Sequence, residues 1–273
     1  MPDTFNLDAY FNRIGYGGSV KPDLDTLVAL QARHVSTIPF EGLDPLLGRP
    51  VPLDLGSLQA KLVKSRRGGY CFEQNAIFNA ALRAIGFATI GLGARVTVMS
   101  QPGAPLGPRG HMVLRVDLPE GPYIADVGFG AALQDAPLRL APDLEQRTPF
   151  ATYRLTELDG LYTLHVCTHD VWRAAFVFTL EPQLPADYEM ANWFFATHPG
   201  GPFTRMIVMQ ILKGDARVSL VNTALSERRQ DGRIIERRLA SAAELGEVLD
   251  QVFDIEPPAP VEQIFAKIAP AVG

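Results

Sequence analysis

Hydrophobic positions in the first 86 residues recur every three or four residues, as they do on one face of an amphipathic helix. The runs are bounded by residues that start or stop helices, such as Asp54 before one run and Gly15 or Gly86 after others. A stretch rich in proline and glycine separates the second run from the third. We therefore predict four helices, over 7–14, 24–31, 55–62 and 71–85.

The pattern changes at Phe87 to short segments rich in β-branched and aromatic residues, separated by glycine, proline and aspartate. The pair Asp159-Gly160 lies between two such segments and is a strong hairpin signal. We predict antiparallel β structure, arranged as a barrel, with strands over 87–99, 112–118, 123–127, 152–158, 161–168 and 171–180.

The last part of the chain mixes the two patterns. We predict a helix over 185–197, strands over 205–212, 217–222 and 234–239, and helices over 241–252 and 261–268. The order is helices, then strands, then mixed structure. We therefore expect an α+β fold of three units, over 1–86, 87–195 and 196–273.

Composition narrows the class of protein. The 273 residues are 47% hydrophobic, with a formal charge of −5. The basic residues near Arg228 and Arg238 are interrupted by Glu227, Asp231 and Glu236, which indicates an exposed, ion-paired face rather than a nucleic-acid site. No apolar run approaches the ~20 residues of a membrane span, and we expect no secretory signal and no membrane partner.

The two cysteines, Cys71 and Cys167, are too few for a disulfide framework, so we expect a reducing cytoplasm. His165 and His169 flank Cys167, but the residues around it alternate as in a strand. This pattern favours Cys167 as a small core residue rather than a metal ligand. There is no CxxC or HExxH motif, so we expect no metal site.

The segment around Cys71 carries the main chemical signal. Gly68 and Gly69 permit a tight turn, and Cys71 follows it at the start of a predicted helix. Helix N-termini favour thiolate over thiol, and the thiolate is the reactive form. Arg66 and Arg67 would add positive charge if they point inward. These features favour a nucleophile, while a buried, inert cysteine is the alternative.

A reactive cysteine needs a base. His111 begins a predicted strand, a turn follows at 119–122, and the returning strand places Asp126 to Gly130 opposite His111. Asp126 lies among apolar residues and needs a partner there, which His111 can be. The alternative is that Asp126 caps a turn with its own backbone. We expect His34 to stabilise a helix C-terminus, and His198 to lie in a loop.

Four segments together resemble one known family. Residues 67–75 read RGGYCFEQN, against the family pattern RGGxCxEQN, and 126–130 read DVGFG. Residues 38–43 are similar to the family's IPFEN stretch, with Gly42 where asparagine is common. The histidine strand lies between them with the family's spacing. On these motifs the chain resembles the arylamine N-acetyltransferases.

The resemblance implies a Cys–His–Asp triad, with Cys71 as nucleophile, His111 as base and Asp126 as the residue that orients it. It implies ping-pong transfer of an acetyl group from acetyl-CoA, as co-substrate, to an arylamine, arylhydrazine or N-hydroxyarylamine. No permanently bound cofactor is expected. The implied fold is a helical bundle, a β-barrel and an α/β lid around a triad core like that of cysteine proteases.

The resemblance also implies roles for further residues. An acyl and amine pocket would be lined by Phe40, Val96 and Phe129. The CoA pyrophosphate would lie near Gly128 and Gly130. The nucleophile would be supported by Arg67, Gly68 and Gly69.

Other functions use the same three residue types. Papain-like and transglutaminase-like hydrolases have cysteine, histidine and aspartate in this order, and related amide synthases close macrolactams. A ligand-binding protein without activity is a further alternative, although all three members of the triad are present.

Overall fold

The structure is a computed structural model that describes residues 5–98, 100–101, 103–168 and 170–268. Its N-terminal part is helical, and the four predicted helices are confirmed. Gly15 and Gly86 end two of them with positive φ angles of 63° and 106°. A short helix in the proline-rich connection and a π-helical continuation were not predicted. The elements are α1 (Leu7–Ile14), α2 (Leu24–Thr37), α3 (Leu43–Leu46), α4 (Leu55–Leu58) with its π-helical continuation (Gln59–Lys64), and α5 (Cys71–Ile85).

Eight antiparallel strands follow, in the spatial order β4-β3-β2-β1-β8-β7-β6-β5. The six predicted strands are confirmed, although Met99, the predicted end of the first, lies outside the described residues. The two additional strands are only two and three residues long. The strands are β1 (Ala88–Val96), β2 (His111–Leu118), β3 (Gly121–Ala125), β4 (Leu138–Arg139), β5 (Glu145–Arg147), β6 (Thr152–Leu158), β7 (Leu161–Thr168) and β8 (Val171–Pro182).

The two edges of this sheet are joined by a side chain. The Gln146 amide on β5 accepts from the Arg139 N–H on β4 at 2.7 Å and donates to the Arg139 carbonyl at 2.9 Å. These two bonds replace a strand pairing where the edges meet. The sheet is therefore a nearly closed barrel, as predicted.

The C-terminal part contains a helix, a four-stranded antiparallel sheet and two more helices. One strand, Ala224–Arg229, was not predicted because it is mostly polar. The basic run lies on the last two strands of this sheet and the turn between them, with ion pairs such as Arg233 to Asp231 at 2.6 Å, which confirms the ion-paired face. The elements are α6 (Pro185–Thr197), β9 (Val208–Lys213), β10 (Ala216–Val221), β11 (Ala224–Arg229), β12 (Ile234–Arg238), α7 (Ala242–Glu247) with its π-helical continuation (Val248–Val252), and α8 (Val261–Ile268).

Phe40 joins the helical part to the second sheet. Its N–H donates to the Gln210 carbonyl at 2.8 Å, and the Gln210 N–H donates back at 3.0 Å. Phe40 also bridges to Gly69 in the segment before Cys71. Helix α5 packs against β1 and β2. Cys71, the first residue of α5, lies beside His111, the first residue of β2.

Cys167 lies half-buried on β7 rather than fully in the core. His169, its sequence neighbour, lies outside the described residues. Within the part of the chain that the structure describes, no cluster of three or more His, Cys, Asp or Glu side chains could hold a metal ion. In that same part, no helix has the length and apolar character to cross a membrane.

Candidate active site

Cys71 is the first residue of α5 and is 4% exposed. Its Sγ lies 3.6 Å from the carbonyl oxygen of Gly110, at the end of the loop that leads into β2. Tyr70 precedes it in an extended conformation, and the Glu73 carboxylate accepts the Tyr70 N–H at 3.0 Å. The helix start that the sequence predicted is thus in place, with the thiol turned towards the barrel.

Gly68 and Gly69 are required because other groups approach them closely. A Cβ at Gly68 would lie 2.0 Å from the Pro39 carbonyl oxygen, and one at Gly69 would lie 2.7 Å from a Glu73 carboxylate oxygen. Neither glycine has a positive φ; the left-handed residue here is Arg66, at 49°. A tight glycine turn was expected from the sequence, but the structure shows close packing of the segment before Cys71 against the Pro39 carbonyl instead.

Arg67 supports this segment through buried ion pairs. Its Nη2 lies 2.6 Å from Glu41 Oε1 and 3.2 Å from Asp44 Oδ2. Arg66 is exposed and pairs with Asp254. Arg66 and Arg67 would add positive charge near Cys71 only if they pointed towards it, and each is instead directed to carboxylates elsewhere.

His111 and Asp126 meet across the hairpin of β2 and β3. The register pairs Leu114 with Ala125, so its continuation places His111 opposite Gly128. His111 Nε2 lies 2.6 Å from Asp126 Oδ2, and the two side chains are 2% and 0% exposed. The Cys71 side chain also interacts with the imidazole and raises its pKa. Since Nε2 faces Asp126, Nδ1 is left to face the thiol.

The other carboxylate oxygen of Asp126 is also fully engaged. It accepts from Asn75 Nδ2 at 2.9 Å and from the Gly128 N–H at 2.8 Å. Asn75 in turn donates to the Met112 carbonyl at 2.7 Å. In the sequence, Asn75 was recognised only as part of the 67–75 motif. Its spacing of four from Cys71 puts both on one face of α5, and this signal could have identified it.

The charge state of His111 follows from these contacts. Burial lowers its pKa, but the negative charge of Asp126, the hydrogen bond to it and the interaction with Cys71 outweigh burial and raise the pKa to about 10. The imidazolium form is therefore favoured at neutral pH. A protonated imidazole between a carboxylate and a thiol stabilises a thiolate and holds a proton ready for transfer.

Gly128 and Gly130 lie where the barrel meets Cys71 and Phe40. A Cβ at Gly128 would lie 2.7 Å from Cys71 Cα, and one at Gly130 would lie 2.4 Å from the Phe40 ring. Both positions therefore need glycine for packing. This need is independent of the CoA contact that the resemblance implies for them.

Phe129 is buried against His111, with ring centroids 5.1 Å apart. Phe40 is buried and contacts Phe203 at a centroid distance of 6.0 Å. Val96 is half-buried at the end of β1, paired with Phe176. The structure thus places Phe129 against His111 and Phe40 against Gly130. Val96 lies on β1, the strand that pairs with the His111 strand.

A cavity of about 280 Å³ opens at His111, and its walls are mainly apolar, with several aromatic side chains. The sequence analysis gave no role to α6, yet α6 supplies much of this lining. The lining does not contain Phe40, Val96 or Phe129. Its ring-bearing members are Phe72, His111, Tyr188, Phe194 and Phe195.

His34 differs from its expected role. It is fully buried, and burial lowers its pKa to about 4, so it is neutral and adds no charge to the end of α2. Gln74 donates its amide to two backbone carbonyls, so its oxygen accepts from His34 Nε2 at 2.6 Å. Nδ1 then accepts from Tyr10 Oη at 2.7 Å. This buried relay ties α1, α2 and α5 together behind Cys71.

The chain is similar to known acetyltransferases over most of its length. The family model for N-acetyltransferases matches residues 23–260. An arylamine N-acetyltransferase of Mycolicibacterium smegmatis is 39% identical over 254 residues, which is 92% of this chain and 92% of that protein. A solved structure of the M. smegmatis arylamine N-acetyltransferase superposes with a TM-score of 0.93 at 37% identity, over 97% of this chain and 98% of that one.

A second solved structure is the Mycobacterium marinum arylamine N-acetyltransferase in complex with CoA. It superposes with a TM-score of 0.92 at 34% identity, covering 97% of this chain and all of that one (100%). The family model, the sequence identity and the shared architecture all extend over nearly the whole chain. The chain therefore belongs to the arylamine N-acetyltransferase family.

Proposed function

We propose that this chain transfers an acetyl group from acetyl-CoA to the nitrogen of arylamines, through a thioester on Cys71. One observation carries the proposal. The buried chain of contacts from Cys71 to His111 to Asp126 provides a thiolate, a proton donor and a carboxylate that orients it. Family membership supports the choice of acyl transfer over other uses of these residues.

In the first half-reaction, the Cys71 thiolate attacks the thioester carbonyl of acetyl-CoA. The bond from Sγ to the acetyl carbon forms and the bond to the CoA sulfur breaks. The imidazolium of His111 gives its proton to the leaving CoA thiolate, and neutral His111 remains. Backbone N–H groups in the first turn of α5 have no intrahelical acceptor and can stabilise the oxyanion.

In the second half-reaction, the arylamine nitrogen attacks the acetyl-enzyme. Neutral His111 takes the proton that the nitrogen loses, the amide leaves, and the thiolate–imidazolium pair is restored. Asp126 stabilises the charge that forms on His111 in this step. Asn75 and the Gly128 N–H hold the carboxylate in position for it.

Several residue roles are part of the same proposal. Phe40, Val96 and Phe129 would shape the acyl and amine pocket, and the turn of Gly128 and Gly130 would lie near the CoA pyrophosphate. The M. marinum relative, solved in complex with CoA, supports CoA as the carrier of the donated acetyl group. We also propose the three units 1–86, 87–195 and 196–273, the last as a lid, and a cytoplasmic enzyme acting on small molecules without nucleic acid.

Release of CoA, followed with a thiol reagent, tests the proposal. We expect the protein to release CoA from acetyl-CoA when p-anisidine is present and to form the acetylated amine. Cys71→Ala should abolish this turnover, while Cys167→Ala, the matched control at the other cysteine, should retain it. Turnover that survives Cys71→Ala would contradict the proposal. Without any amine, CoA release should stop once Cys71 is acetylated; continued, catalytic CoA release would favour a hydrolase instead.

A further inference from the structure

Two phenyl rings contact the imidazole of His111 inside the barrel. The ring centroids of Phe129 and Phe176 each lie 5.1 Å from that of His111, and they lie 5.1 Å from each other. Both phenylalanines are buried. Phe129 lies three residues after Asp126, whereas Phe176 comes from β8, far from the triad along the chain. The three rings form one buried cluster, in which only the imidazole titrates.

Phe176 reaches His111 across β1, the strand that lies between β2 and β8. Ala94 of β1 pairs with His111 on one side and with Phe178 on the other. Paired residues point to the same face of a sheet, and so do residues two apart on one strand, so Phe176 shares this face. The methyl group of Ala94 leaves the space above β1 to the larger side chains of its two neighbours.

The polar contacts of the imidazole are with the triad. Asp126 Oδ2 lies 2.6 Å from Nε2, and the Cys71 side chain interacts with the ring as well. These two groups raise the pKa of His111, whereas burial lowers it. The phenyl rings of Phe129 and Phe176 contribute to that burial because they keep water from the imidazole.

The ionisable side chains that line the cavity at His111 have partners of their own. Arg109 pairs with Glu181 at 2.8 Å, and the Asp187 carboxylate accepts a backbone N–H at the start of α6 at 2.8 Å. The Tyr188 hydroxyl donates to the Leu92 carbonyl at 3.2 Å. Each of these groups is therefore engaged away from the imidazole.

A phenyl ring distinguishes the two charge states of the imidazole. The quadrupole of the ring attracts a cation within about 6 Å of the ring centroid, most strongly where water is excluded. Neutral imidazole lacks the charge on which this attraction acts. The rings that exclude water from His111 therefore offset part of the cost of burying its charged form.

We propose that Phe176 is a positioning residue for acetyl transfer, whose ring, together with that of Phe129, stabilises the imidazolium of His111 between Cys71 and Asp126. This inference rests on the proposed function, in which the imidazolium gives its proton to the leaving CoA thiolate. Phe176 acts through His111 and takes no part in bond formation. Its effect is on the pH up to which His111 stays charged.

Fluorinated phenylalanines at position 176 test this, because fluorine weakens the ring quadrupole and nearly keeps the ring shape. The series is phenylalanine and its 4-fluoro, 3,5-difluoro and 3,4,5-trifluoro forms. Proton NMR titration of the His111 ring, in the protein without substrate, should show a pKa that falls with each added fluorine. We expect a total decrease of about one pH unit. Phe176→Leu, which removes the ring, should lower the pKa of His111 by a similar amount, and the fluorinated series carries the test if this variant does not fold.

The same fluorinated series at Phe178 is the matched control. Phe178 is buried on the same strand, and its ring contacts are with Phe176 and Tyr162. Fluorination there should leave the pKa of His111 unchanged. A pKa that stays constant across the series at 176, or that falls equally at 176 and 178, would overturn the inference.

A second measurement connects the ring to the chemistry. The rate of the first CoA release from acetyl-CoA, followed against pH, should decline at alkaline pH as His111 loses its proton. Fluorination at 176 should move the midpoint of this decline downwards by the same amount as the pKa. A midpoint that does not move while the pKa falls would contradict a role of Phe176 in acetyl transfer. Turnover of p-anisidine by the unmodified protein reports the proposed function separately.

Discussion

Asp126→Asn is the most informative single substitution, because it keeps the shape of the side chain and changes one charge. Asn75 Nδ2 and the Gly128 N–H both donate to Oδ1, so the amide oxygen of the new residue must stay at that position. The amide nitrogen then occupies the place of Oδ2 and donates to His111 Nε2. The imidazole is forced to carry its proton on Nδ1, towards Cys71, where it can no longer accept one.

The magnitude follows from the pKa of His111. Burial alone would lower it, whereas Asp126 and Cys71 raise it from 6.5 to about 10. At about 1.4 kcal/mol per unit, this net shift is roughly 5 kcal/mol in favour of the imidazolium, and the contribution of the two partners is larger because it also offsets burial. We expect kcat/KM to fall by about a hundredfold or more.

Two measurements check this reasoning. Turnover of p-anisidine gives the loss in kcat/KM, and proton NMR titration of the histidine rings, assigned with His111→Gln, gives the pKa. Asp126→Asn should bring the pKa of His111 below 6.5, since burial then dominates. Asp117→Asn is the control, because Asp117 lies half exposed on the same hairpin and pairs with Arg115. A variant with an unchanged His111 pKa, or with near-normal turnover, would refute the role of Asp126.

Three further predictions concern stability and can be checked by urea unfolding. Gly68→Ala should lower the free energy of unfolding by about 1–3 kcal/mol, because its Cβ meets a backbone carbonyl at 2.0 Å. Gly17→Ala, where no atom lies within 4 Å of the added Cβ, should leave the free energy of unfolding unchanged. An equal loss of stability in the two variants would contradict the close packing at Gly68. Arg67→Met should lower the free energy of unfolding by about 3–5 kcal/mol, because it leaves buried carboxylates without their partner. Arg66→Met, at an exposed pair, should lower it by less than about 1 kcal/mol. A similarly small loss for Arg67→Met would contradict this role. As pH falls from 6.5 to about 4, the unfolded chain protonates His34 while the folded chain does not, so stability should drop by roughly 3 kcal/mol over that window. His34→Gln should lack this component, and an identical pH dependence in the variant would argue against it.

Much of the fold was predictable because periodicity and turn chemistry are local. The DG pair at Asp159 and Gly160 does form the turn between β6 and β7, and the helix beginning at Cys71 ends at Gly86 as its sequence indicates. The hairpin of β2 and β3 was predictable for the same reason. It brings His111 to Asp126 because a short turn sets which residues face each other.

The rest depends on contacts between distant segments, which periodicity does not report. The close approach of Gly68 to Pro39 and the direction of Arg67 towards Glu41 exist only after folding. His34 reads as a helix-end residue in the sequence, but its burial makes it neutral. β11 was missed because its sequence is mostly polar and its residues are mostly half-buried, so it lacks the apolar alternation that identifies strands.

The mass of the intact protein after incubation with acetyl-CoA, in the absence of any amine, tests the central claim most directly. The account predicts one added acetyl group, located on Cys71, which is lost when p-anisidine is added. The adduct should also form on Cys167→Ala. No adduct on the unmodified protein, or the same adduct on Cys71→Ala, would contradict a Cys71 thioester as the intermediate.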